Sequence, residues 1–119
     1  KRGLLMFQLA NKRIVMWPVS IPVPRGDGSG EVDVQQCKLQ FVLFTEPELA
    51  ELKTKTGTQM LDMLVEHITG WEDIEEPNGE PVEFNKEVLR AALNDPLFSA
   101  AVVRALYQAS NGRAAAKNS

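Results

Sequence analysis

His67 and Cys37 are the only histidine and the only cysteine in the chain, so any imidazole-activated thiol would have to be built from this pair. Such a nucleophile needs a third group to orient the base, and no residue pattern supplies one. A small hydrolase using His67 or Cys37 is therefore the weakest reading. Zinc needs several Cys or His ligands, and two in total fall short. The acidic run Glu72, Asp73, Glu75, Glu76, Glu80 and Glu83 invites comparison with a calcium loop. Setting Gly79 as the central glycine puts Ile74 at the first ligand position, with Glu76 and Asn78 at the next two, and the template breaks. Gly26, Gly28 and Gly30 copy part of a dinucleotide fingerprint, but no apolar helix follows them. Arg25-Gly26-Asp27 matches an integrin tripeptide and, with no secretion signal recognised, reads as coincidence. The expectation is a chain with no catalytic, cofactor-binding or metal-binding residues.

The elements that would carry these residues fit one domain. The length of 119 residues suits a single core buried without disulfides. Cys37 alone cannot form an internal bridge, and its place in an apolar alternation reads as core. A net charge of −3 lacks the basic footprint of a nucleic-acid binder. No run of apolar residues is long enough to span a membrane, and the composition suits a cytosolic protein. The chain starts "KRGLLMFQLA"; whether Met6 is a natural start and Lys1 to Leu5 are foreign to it stays open.

Residues 4–10 read as a first strand, with a turn at Asn11-Lys12. From 13 to 24 the apolar positions Val15, Trp17, Val19, Ile21 and Val23 repeat every second residue. Pro18, Pro22 and Pro24 share the other parity, so one side of this strand lacks donors and it belongs at a sheet edge. Residues 25–30 form a loop and 31–44 another strand. A bulge is expected where apolar parity shifts from Val32 and Val34 to Cys37, Leu39, Phe41 and Leu43. Thr45 and Glu48 make a capping box with Pro47 in the first turn of a short helix. A second helix spans about 58–69, with Gly70 as its positive-φ stop and Trp71 folding back, stacked against His67. Asn78-Gly79 is a turn, Asn85 caps a third helix, and Asp95-Pro96 opens a fourth that ends at Asn111-Gly112. Residues 113–119 read as a loose tail. The sum is an α+β domain over residues 1–112: a small N-terminal antiparallel sheet or hairpin, then about four helices.

The segment from Ile68 through Gly70-Trp71, the acidic stretch to Gly79, Pro81-Val82-Glu83-Phe84, Asn85, and a last helix with Tyr107 running to "ASNGRAAAKN" resembles the tail assembly chaperones of long-tailed bacteriophages and prophages. The resemblance covers about residues 60–118. It implies a non-enzymatic protein of the host bacterial cytoplasm. Such a protein binds the long helical tape measure protein, shields its apolar surface, and helps recruit tail tube subunits during tail morphogenesis. No nucleic acid, membrane or cofactor is implied, and homo-oligomerisation is left open. The candidate partner-binding residues are Met60, Met63, His67, Trp71 and Tyr107, with Met60, Met63 and Tyr107 lining a groove between the second and fourth helices. In many of these phages a programmed frameshift makes a longer product. The codons for Ala116-Lys117-Asn118 are compatible with a slippery run that would allow one here. The alternative is a phage or bacterial regulatory adaptor that docks on a host protein.

Overall fold

The computed structural model describes residues 4–115. Two long strands, β1 (Ile14–Pro24) and β2 (Val32–Val42), form an antiparallel hairpin. Its connection is drawn shut by Arg25, whose backbone N–H donates to the Glu31 carbonyl at 3.0 Å. The Arg25 guanidinium reaches Glu31 at 2.6 Å and Asp33 at 3.0 Å, both exposed pairs that hold the loop's shape more than they add stability. After two helices, α1 (Glu46–Leu52) and α2 (Gly57–His67), the chain returns as a third strand, β3 (Ile68–Glu72), beside β2. The sheet order is β1-β2-β3. Helices α3 (Lys86–Leu93) and α4 (Pro96–Ser110) complete the α+β fold. Helix α3 packs against both α2 and α4, and α4 lies against β1.

Alternation sorts the hairpin's side chains onto two faces. Val19, Cys37, Leu39 and Phe41 point inward and are buried. They meet Leu64, Ile68, Leu89, Leu93, Val102 and Leu106 from the helices and β3, each almost fully removed from water. At roughly 1.5–3 kcal/mol per buried large aliphatic or Phe side chain, this cluster outweighs any single hydrogen bond in the molecule.

Local signals hold at the helix starts. Thr45 accepts from the Glu48 N–H while the Glu48 carboxylate accepts from the Thr45 N–H, and Pro47 fills the first turn. Asn85 accepts from the Val88 N–H at 2.8 Å and Asp95 from the Leu97 N–H at 2.9 Å. The turn at Asn78-Gly79 is closed by the Gly79 N–H donating to the Glu76 carbonyl, with Gly79 at φ 89°, where a Cβ would be strained.

Four expectations are corrected. Residues 4–10 form no strand; Leu4, Leu5, Met6, Phe7 and Leu9 are exposed. The Arg13 carbonyl accepts from the Leu43 N–H, so odd-numbered residues of β1 hydrogen-bond toward β2 and even-numbered ones face the open edge. Pro18, Pro22 and Pro24 are even and leave that edge short of donors, which denies residues 4–10 a ladder there. The expected bulge near residues 34–37 is absent: β1 and β2 stay in register from Ile14 opposite Val42 to Pro24 opposite Val32. The apolar parity changes because Val32 and Val34 lie on the outer face, while the one register shift falls between Gln40 and Phe41 against β3. Helix α2 ends at His67, Ile68 is already extended, and Gly70 sits within β3 without a positive φ. Strand pairing with Gln40, and the burial of Ile68, override the helical stop that Gly70 suggested. A third strand thus falls among the helices, across residues read as the end of the second helix, its Gly70 stop and the start of the acidic stretch. The end of the expected loose tail, with Ala116-Lys117-Asn118, lies outside the described residues, as do Lys1 to Gly3.

Candidate binding surfaces

His67 does not stack on Trp71. It closes α2 and is 8 % exposed, with its ring 3.8 Å from that of Phe44. Nδ1 lies 2.8 Å from the Val42 carbonyl, and Nε2 lies 3.3 Å from the Glu48 carboxylate. Both ring nitrogens are thus engaged by groups that fix the α1–α2 end of the domain against β2. The Thr45 N–H bond holds the Glu48 carboxyl below the ordinary glutamate range; burial opposes this, and the nearby His67 adds to the lowering. Cys37 stands five positions before Val42, so the thiol lies roughly 16 Å along β2 from His67's partner. Burial, with the nearby Asp73 charge second, pushes the Cys37 thiol up to about 11, the opposite of what a nucleophile needs. Among the described residues, no three His, Cys, Asp or Glu side chains converge as a metal site, and no helix is long and apolar enough to cross a membrane.

Trp71 lies in β3 and is half-buried. Its indole N–H donates to the Val82 carbonyl at 2.8 Å, and its ring meets Phe84 edge-on at 5.2 Å. Both partners come from beyond the acidic turn, so Trp71 clamps the two limbs of that turn together. Ile74 and Val82 tie the limbs by a backbone bond at 2.9 Å. The large aromatic at the head of the acidic stretch is therefore a structural pin for the loop.

Met63 is buried in the core, while Met60 and Tyr107 are only partly covered and pack against it. Helix α3 is packed against both α2 and α4, where the expected groove would have run. Of the five candidate residues, Met60, Trp71 and Tyr107 retain exposed surface, and they do not form one patch with the buried Met63 and His67.

Two surfaces missed by the sequence reading stand out. The first is the outer face of the hairpin, with no helix over its apolar ends. Ile14 and Met16 occupy one end; Pro22, Val32 and Val34 occupy the other, with Val32 49 % and Val34 46 % exposed. The second is a cleft of about 950 Å³ where the hairpin outruns β3. Its floor carries Ile21, Val23, Ile74, Leu97 and Phe98. Asp73, Glu75, Glu76 and Asp95 also line it. Asp73 adopts a positive φ of 66°, a conformation aspartate tolerates better than most residues, and turns the chain out of β3 into this lining.

Comparison with protein-family models, curated proteins and solved structures finds no match.

Proposed function

We propose that this chain is a non-enzymatic tail assembly chaperone of a long-tailed phage. It acts in the host cytoplasm, holds the apolar surface of the helical tape measure protein, and helps bring tail tube subunits to it. The sequential order of Gly70-Trp71, the acidic turn, Pro81 to Phe84, Asn85 and the Tyr107 helix supports the family reading. The structural observation that carries it is the pair of uncovered apolar ends on the outer face of the hairpin. Large apolar side chains left in water on a rigid sheet suit reversible capture of an amphipathic helix. Methionine at position 16 adds a side chain able to repack around varied clients. His67 and Cys37, the two residues with most chemical potential, are held apart, one in structural contacts and one buried.

Co-expression with the tape measure protein encoded beside its gene tests the proposal. A soluble complex that co-purifies is expected; a tape measure protein that stays insoluble and unbound in its presence argues for the adaptor reading instead.

A further inference from the structure

We infer that the apolar arm Leu4–Leu9 of one molecule docks in the acidic cleft of a second copy of this chain, linking molecules head to tail. The inference is independent of the chaperone reading. The arm has no place in its own fold: Leu4, Met6 and Leu9 are at least nine-tenths exposed, Leu5 and Phe7 nearly four-fifths. Its only described side-chain contacts are local, with Arg13 over the Phe7 ring at 5.3 Å and donating to the Gln8 carbonyl at 2.7 Å. A five-residue apolar display of this kind is costly in water and gains from burial.

The cleft matches it in two respects. Its apolar floor of Ile21, Val23, Ile74, Leu97 and Phe98 is large enough for several side chains, near the upper end of ligand-pocket volumes of about 300–1,000 Å³. Its acids complement the arm's basic flank. Lys12-Arg13 follow the apolar residues in sequence, while Asp73, Glu75, Glu76 and Asp95 line the cleft. Opposite charge bounding an apolar contact fixes register and speeds encounter.

Docking of the whole arm, Leu9 included, within one molecule is excluded by reach. The arm joins β1 at Ile14, whereas the cleft begins at Ile21, roughly 23 Å further along the strand. Leu9 stands five positions before Ile14 and extends at most about 18 Å from it. The whole apolar segment can therefore fill only a neighbour's cleft. Because donor and acceptor surfaces differ, the contact is heterologous and builds chains or closed rings.

Sedimentation velocity on the full chain tests this directly. Wild type is expected to show concentration-dependent association that weakens at high salt as the charged rim is screened. Phe7→Asp, in the exposed arm, and Leu97→Glu, at the cleft, each raise the self-dissociation constant roughly tenfold or more while keeping the wild-type circular dichroism spectrum. Mixing the two variants restores one-to-one pairs, since one retains an intact cleft and the other an intact arm. A wild type that stays monomeric at all concentrations overturns the inference. So does association that is unchanged in Phe7→Asp, or a folded pair of variants that fails to complement.

Discussion

Lys86 offers the sharpest check on how the helices are joined to the sheet. Helix α2 ends without a glycine cap, because Ile68 must turn straight into β3. The last carbonyls of a helix have no partner within it. The Lys86 ammonium reaches back from the first residue of α3 and donates to the Val65 carbonyl at 2.5 Å and the Ile68 carbonyl at 2.7 Å. It thus closes α2 and fastens α3 to it, with the cation favourably placed at the negative end of the helix dipole. Lys86→Met keeps the aliphatic stem and removes the donors. A hydrogen bond to a charged group contributes about 1.5–3 kcal/mol when shielded, and less at the exposed Val65 site. The expected loss is about 2 kcal/mol, which for a domain of this length lowers Tm by about 8 °C. Urea and thermal unfolding followed by the fluorescence of the two tryptophans measure it. A Lys86→Met protein within about 0.5 kcal/mol of wild type, the range of an ordinary surface change, refutes the reasoning.

Further outcomes follow from the same contacts. Glu48 is held below its ordinary pKa chiefly by the Thr45 N–H, so its stabilising effect is fully present above the unfolded-state value and is lost as pH falls through the folded one. Urea midpoints taken from pH 7 down to pH 3 should fall less steeply in Glu48→Gln than in wild type; parallel curves contradict this. Cys37, buried and titrating near 11, should resist alkylation at pH 8 in native protein and react freely in denaturant. Rapid native labelling would show that the thiol is open to solvent. Pro22→Val restores a backbone donor on the open edge of β1 and should hasten aggregation on prolonged warming, read by light scattering, with an unchanged aggregation rate as the contrary result.

The sequence announced those features whose causes lie within a few residues. The Thr45–Glu48 box, the Asn85 and Asp95 caps and the Asn78-Gly79 turn each depend on a side chain bonding its own neighbourhood. The single-parity prolines announced the edge strand for the same reason. Strand β3 was hidden because Ile68–Glu72 extends the apolar stripe of α2, and its ladder partners Lys38 to Phe41 lie some thirty residues earlier. Trp71 and Phe84 could be read as anchors, but their mutual contact depends on the turn folding both limbs together. The His67 environment combines α1, α2 and β2, and the cleft combines the hairpin, the acidic turn and the α3–α4 corner, so neither leaves a local pattern. Val32 and Val34 did signal the outer face, since they break the inward parity; a bulge and an apolar outer surface give the same alternation in one strand.

On the proposed function, the apolar ends of the hairpin's outer face hold an apolar helical client. Binding of a purified tape measure segment to wild type and to the double variant Met16→Glu/Val34→Glu, measured by calorimetry beside each protein's Tm, tests it most directly. Wild type is expected to bind, and the variant, with its Tm kept, to lose affinity by roughly a hundredfold or more. Equal affinity in the two proteins would contradict it.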